Sequence, residues 1–270
     1  MADAPSPSPL YHLAGLTIVV TRPRQQGEST AKALRRAGAS VVELPVLEIA
    51  PMACTIDADT FAKAYAAIFV SANAVEHGVP CLRAHGDLPG KILIAAIGHA
   101  TARALNDAGF TDVVTPPQSI DSEGLLAMPQ LQPAQVAGQH VILVRGKSAG
   151  GGRGLLEETL TARGAKVVAV ECYERRGLAP PPEQIASLIK SMNGNFAVMA
   201  LSVETLDSLM KSFAGHETLL KSAWLLVPHA RVTAAASARE FTRVAEVGTS
   251  AEMLIPALIQ LKPRINVQAT

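Results

Sequence analysis

Aromatic residues make up only 4% of the 270 positions, and charged residues only 17%. The 24 basic and 23 acidic side chains leave a formal net charge of +1. Such a balance creates no field of one sign, so no nucleic acid and no anionic membrane surface is expected as a partner. No stretch reaches the roughly 18 uninterrupted apolar residues of a membrane span. Cysteine is scarce too: Cys54, Cys81 and Cys172 are an odd number with no C-x-x-C pair. That pattern argues against a disulfide scaffold and against a thiolate metal site, and it fits a reducing, cytoplasmic setting. His77, His85, His99, His140, His216 and His229 are scattered without the spacing of metal ligands. Residues 1–14, MADAPSPSPLYHLA, lack the basic and apolar segments of a secretory signal and read as a disordered tail.

What the chain has is apolar material, 49% of residues with a mean hydropathy of +0.24, enough for two cores at this length. It also has an internal repeat. The run TIVVTRPRQQGESTAKALRRAGASVVELPVLE from Thr17 reappears as ILVRGKSAGGGRGLLEETLTARGAKVVAVECYE from Ile142. Arg22 answers Arg145 and Gly38 answers Gly164, with three extra residues in the glycine-rich turn of the second copy. The likeness continues through IFVSANAV and VMALSVETL, which place Ser71 over Ser202, and through GFTDVV and EFTRVA. Each half reads as strand, helix, strand, then strand–Ser–helix and two further strand–helix pairs, which means two similar α/β domains.

In chain order, strands are expected at 16–20, 41–49 (interrupted by Pro45), 68–70, 91–97, 113–114, 142–145, 166–174, 196–201, 224–227 and 244–247. Helices are expected to about 37 from Gly27, at 61–66, 71–82, 101–108, 124–128, 155–162, 183–191, from Ser202, at 231–238 and at 251–261. Residues 129–138 read as a loop and 177–182 as a Pro-rich connector. Helices following strands imply mainly parallel sheets.

Parallel sheets hold ligands at strand C-terminal ends. The residues expected there are Thr21, Arg22, Ser71, Asn73, Gly98, Thr101, Ser122, Arg145, Gly146 and Ser202. Hydroxyls, arginines and helix starts with free N–H groups form an anion-binding inventory. It contains no activated nucleophile, because no His accompanies a Ser in an interpretable arrangement. Blander readings stand beside this one. A Ser or Asp before a helix is ordinarily a cap, and the arginines could be plain surface residues. The run KSAGGGRG could be a dinucleotide loop, although it lacks the G-x-G-x-x-G spacing and the P-loop Lys-Ser/Thr pair. Tyr173, one of three tyrosines, could be a packed strand aromatic.

Taken together, VVTRPRQQGESTAKALRRAGASVVELPVLEIAP, IFVSANAV, IGHATARAL, SEGLL, LVRGKSAGGGRGLLEETLTARGAKVVAVECYER and LVPHARVTAAA resemble the uroporphyrinogen-III synthase family over about Leu16–Leu261. The resemblance implies a bilobed α/β fold of two similar parallel-sheet domains joined by a two-stranded β-ladder. Domain 1 would be 15–42 plus 177–264, domain 2 would be 49–168, and the ladder 43–48 plus 169–176. The implied substrate is hydroxymethylbilane, passed on transiently from hydroxymethylbilane synthase, and the implied site is a cleft between the lobes of a monomer. No cofactor and no metal is implied. By the same resemblance Tyr173 assists departure of the substrate hydroxyl as a proton donor. Thr101, Ser71 and Ser202 contact the substrate, and Arg22 and Arg145 bind its carboxylates. Where the family usually shows Gly-Pro-x-Thr, this chain has His229-Ala230-Arg231-Val232, so Arg231 is expected to take over anion binding. Two readings from the residues stay open beside it: a nucleotide-dependent transferase using the 150–154 loop, and a bilobed small-molecule binding module.

Overall fold

The computed structural model describes residues 12–86, 88–117, 121–147, 154–192 and 196–266. The chain divides into two compact units, Met1–Glu48 with Arg176–Thr270 and, inserted between them, Ile49–Arg175. The first unit opens with β1 (Thr17–Val20), α1 (Arg24–Arg36) and β2 (Ser40–Glu43). The chain then passes through β3 (Leu47–Pro51) into the second unit: α2 (Ala58–Ala62), β4 (Ala64–Phe69), α3 (Ala72–Arg83), β5 (Leu93–Ala96), α4 (His99–Asp107) and β6 (Val113–Val114). Next come α5 (Ser122–Leu126), a 3-10 turn at Pro129–Leu131, α6 (Pro133–Val136), β7 (His140–Gly146), α7 (Leu155–Ala162) and β8 (Lys166–Gly177). The first unit resumes with α8 (Pro182–Ser191), β9 (Phe196–Met199), α9 (Val203–Ser212), α10 (Glu217–Ser222), β10 (Trp224–Val227), α11 (Ala230–Ser237), β11 (Val244–Glu246) and α12 (Ala251–Asn266).

The first unit holds a five-stranded parallel sheet in the order β2-β1-β9-β10-β11. In the second unit the order is β3-β8-β7-β4-β5-β6, with the strands from β8 to β6 parallel. Without β3 the two sheets have one plan. A repeated strand–helix–strand unit forms one side, the remaining three strands form the other, and the order reverses between β1 and β9 and between β7 and β4. Alternate residues of each strand serve opposite faces. Val19, Val198 and Leu225 join one core of the first unit, and Ile18, Ala197 and Leu226 join the other. In the second unit Phe69, Ile142 and Val144 face one core, and Ile68, Val141 and Leu143 face the other. Both faces are covered by helices, which is why these strands are unbroken apolar runs rather than alternating ones.

The repeat also ends its helices alike. Gly38 (φ 92°) and Gly164 (φ 86°) adopt the left-handed conformation that closes α1 and α7. In each copy the following N–H, of Ala39 or Ala165, returns to the carbonyl of Leu34 or Leu160.

Several expectations need correction. Residues 12–14 do not belong to a disordered tail: Leu13 is fully buried, and its N–H donates to the Ala37 carbonyl at 2.9 Å. The extended run 41–49 splits at Pro45 into β2 and β3, which belong to different sheets. The ladder expected at 43–48 plus 169–176 is shifted along the first strand: β3, from Leu47 to Pro51, lies beside β8, a strand running continuously from Lys166 to Gly177. The helix expected at 61–66 ends at Ala62, because Ala64–Phe69 is the buried strand β4. A helical turn, α6, interrupts the loop 129–138, and α10 lies where no helix was expected. Finally, Cys54 and Cys81 are joined as a disulfide, with Cα atoms 6.2 Å apart. Their separation of 27 residues carries no local signal; it is α3 that brings Cys81 to the segment after β3. Cys172 remains a free, buried thiol.

Candidate active site

In the first unit the sheet order reverses between β1 and β9, and their C-terminal ends carry the expected residues. Thr21 is buried, and its hydroxyl donates to the Met199 carbonyl at 2.6 Å. It fastens β1 to β9 rather than facing a ligand, which corrects its reading as a binding residue. Arg22, the next residue, turns toward α1. Its Nη1 donates to the Thr30 hydroxyl at 3.3 Å and to the Thr249 carbonyl at 3.4 Å, and no carboxylate pairs with it among the described residues. Burial lowers the pKa of its guanidinium, because a partly desolvated cation without a counter-ion is disfavoured. An anion bound there would relieve that penalty.

Such an anion has a place to sit. A cavity of about 550 Å³ is lined by Arg22, Arg24, Gly27, Glu43, Pro45 and Gln184, together with residues 178–181. Helix α1 enters it through Pro23, which supplies no side-chain cap, and its first turn has no acidic residue to oppose an anion. The one carboxylate in the lining, Glu43, already holds Arg35 at 2.8 Å. At Gly27 an added Cβ would lie 3.3 Å from the Arg22 carbonyl, so the glycine lets the helix start close to the strand end.

Ser202 lies across the reversal at the start of α9. Its hydroxyl accepts from the Thr205 N–H at 3.1 Å and bonds the Thr205 hydroxyl at 2.9 Å, which is a capping role.

In the second unit the reversal falls between β4 and β7. Ser71 caps α3 as Ser202 caps α9, accepting from the Ala74 N–H at 3.1 Å. Unlike Ser202, its hydroxyl also meets the Tyr173 hydroxyl at 3.1 Å. Tyr173 lies on β8, is only 3% exposed, and has the His77 ring tilted against it at 5.8 Å between centroids. Gly146 stands opposite Tyr173 at the end of β7.

Arg145, the counterpart of Arg22, differs sharply from it. Glu157 of α7 holds its Nη1 at 3.0 Å, and Glu171 of β8 lies 3.3 Å from its Nη2. With two internal carboxylates and a side chain 17% exposed, Arg145 serves the structure, and its reading as a substrate carboxylate binder is corrected.

The family model described as Uroporphyrinogen-III synthase HemD matches residues 28–255. A curated uroporphyrinogen-III synthase of Synechococcus elongatus is 33% identical over 213 residues, covering 75% of this chain and 78% of that protein. The Salmonella typhimurium enzyme of the same name is 36% identical over 165 residues, covering 59% and 65%. Among solved structures, uroporphyrinogen-III synthetase from Helicobacter pylori aligns with a TM-score of 0.58 at 16% identity, covering 93% of this chain and 99% of that one. A mutant Thermus thermophilus uroporphyrinogen III synthase gives 0.56 at 20%, covering 94% and 100%. The chain belongs to the uroporphyrinogen-III synthase family.

The remaining positions expected of a uroporphyrinogen-III synthase fall as follows. Gly98 is the residue before α4 and supplies no side-chain cap, and Thr101 is buried in the first turn of that helix. Asn73 lies in the first turn of α3. Ser122 opens α5, but the Asp121 carboxylate accepts from the Gly124 N–H at 2.7 Å and already occupies that helix start, so Ser122 is not at a free anion site. Arg231 is exposed in the first turn of α11, whose preceding residue His229 makes no side-chain cap. The loop 150–153 lies outside the described residues, and Gly154 directly precedes α7. Among the described residues no group of three His, Cys, Asp or Glu could hold a metal ion, and no helix is long and apolar enough to cross a membrane. Two residues escaped the sequence reading. Arg24 is one, although the run Thr-Arg-Pro-Arg puts it on the first turn after Pro23. His77 is the other, in the second turn of α3.

Proposed function

We propose that this chain cyclises hydroxymethylbilane to uroporphyrinogen III with loss of water and inversion of the last pyrrole ring. The observation that carries this reading is the Arg22–Arg24 cavity: two cations at a helix start that has no acidic residue in its first turn, and one lining carboxylate that is already paired. A linear tetrapyrrole with eight carboxylates needs such docking points, whereas the chemistry itself needs only a proton donor and a controlled conformation. In this reading Tyr173, whose phenol meets Ser71, protonates the departing hydroxyl so that it leaves as water. The resulting azafulvenium cation is attacked by the substituted carbon of the last ring, giving a spiro pyrrolenine. Fragmentation and recombination invert that ring, and loss of a proton from the joining carbon restores aromaticity. No external oxidant or reductant enters the balance. Arg231 and the start of α4, which has no side-chain cap, are further carboxylate contacts, and the substrate is received by a monomer from the synthase that makes it.

The test supplies hydroxymethylbilane made in place by its synthase, adds the protein, oxidises the products and separates the type I and type III uroporphyrins. Predominantly type III product is expected. Type I alone, with folded protein in excess, would overturn the reading.

A further inference from the structure

β8 and β7 pair one to one from Lys166 opposite His140 to Glu171 opposite Arg145, but the next pair is Tyr173 with Gly146. Cys172 is therefore an extra residue on β8, a β-bulge at the end of the ladder. A bulge breaks the alternation of a strand. Accordingly Cys172 and Tyr173, though consecutive, are both buried in the same core, together with Val75 and Val79 of α3. The backbone around the bulge is fixed on both sides: the Met52 N–H donates to the Cys172 carbonyl at 3.0 Å, and the Lys147 N–H donates to the Tyr173 carbonyl at 2.7 Å.

This turn of the strand lays the phenol over Gly146. A Cβ on Gly146 would lie 2.5 Å from Cε2, 2.6 Å from Cζ and 3.0 Å from the hydroxyl oxygen of Tyr173. No side chain fits there while the ring stays where it is. His77 tilts against the same ring, and Ser71 bonds its hydroxyl.

The geometry points to Gly146 as a positioning residue for Tyr173: the bulge at Cys172 and the missing side chain at Gly146 together set the phenol hydroxyl on Ser71. This assigns Gly146 a role other than contact with substrate, and its catalytic consequence rests on the reading of Tyr173 as proton donor.

Two measurements separate the parts. In thermal unfolding, Gly146→Ala should lower Tm by about 3–8 °C, the range expected of an overpacked core site in a chain of this size. In a Tyr173→Ala background the same change should cost little, since the ring it collides with is gone. Equal losses in both backgrounds would overturn the seating of Tyr173 by Gly146. Should Gly146→Ala alone fail to fold, recovery of folding in the double variant supports the inference and failure of both overturns it. In the cyclisation assay, Gly146→Ala should lower kcat roughly 10- to 100-fold while KM stays within about threefold. Added to Tyr173→Phe it should lower kcat no further. Undiminished kcat in folded Gly146→Ala, with Tyr173→Phe inactive, would overturn the positioning role. Full activity of Tyr173→Phe would instead remove the donor reading, and the unfolding measurement would still decide whether Gly146 seats the ring.

Discussion

Arg22 and Arg145 occupy the same place in two copies of one strand–helix unit, yet among the described residues only Arg145 is clamped by carboxylates. The repeat carries the same cation twice, and Glu157 and Glu171 make one of the two a paired, structural arginine. Replacement should separate the two. Arg22→Ala should raise KM about 5- to 10-fold, the effect of losing one charge-assisted contact, with little change in stability. Arg145→Ala should destabilise by roughly 2–4 kcal/mol, because Glu157 and Glu171 are left without their cation in a partly buried place. Urea unfolding beside steady-state kinetics checks both, and a stable Arg145→Ala with raised KM would reverse the assignment.

Helix α3 approaches the sheet closely at Gly78, where an added Cβ would come within overlap of Val144 Cγ1 and 3.3 Å from Cys172 Sγ. Gly78→Ala should therefore cost about 1–3 kcal/mol. The loss should shrink when Val144→Ala is made in the same chain, as a double-mutant cycle would show.

Burial pushes the Cys172 thiol up to about 11. Its neutral form is the one the fold favours, so the folded protein holds this proton where the unfolded chain releases it. The associated stability is present below the unfolded thiol pKa and is lost as pH rises from about 9 to 11. Cys172→Ala should flatten that fall in an unfolding series across pH. Alkylation of native Cys172 at pH 8 should be slow, for want of thiolate.

The Cys54–Cys81 bond ties the segment after β3 to α3. Chain-entropy arguments give at most about 3–4 kcal/mol for closing a loop of that length. Protein unfolded without reductant should titrate as one thiol and after reduction as three, and Cys54→Ser should lower Tm. Three thiols before reduction would mean the pair is open in solution.

The duplication was legible because it rests on local chemistry: a charge ending an apolar run, and Gly38 and Gly164 where helices must stop. Pro45 likewise betrayed the break between β2 and β3. The division of labour inside the site was not legible. Arg22 and Arg145 look alike in the chain, since what separates them are carboxylates on a neighbouring helix and strand. Thr21 and Ser122 were placed at the correct strand and helix ends, but the hydroxyl of one is taken by Met199 and the helix start of the other by Asp121. The bulge at Cys172 leaves no mark in the residue pattern, and without it the meeting of Tyr173 with Gly146 cannot be foreseen. Leu13 reads as part of a Pro/Ser-rich leader because its burial depends on Ala37 and on α12.

In the sheet of the first unit the neighbouring strands β1 and β9 are far apart along the chain. Thr21 and Met199, bonded across β1 and β9, are 178 positions apart. A ribosome adding about 5–20 residues per second needs roughly 10–35 s to cover that interval. Throughout it β1 and β2 wait with one edge unpaired, whereas all six strands of the other sheet have been made once the chain has passed Gly177. The inserted unit can thus mature during synthesis, before the enclosing one has β9, β10 and β11. Late nonsense or frameshift lesions would then spare the former and leave the latter with nothing to close on.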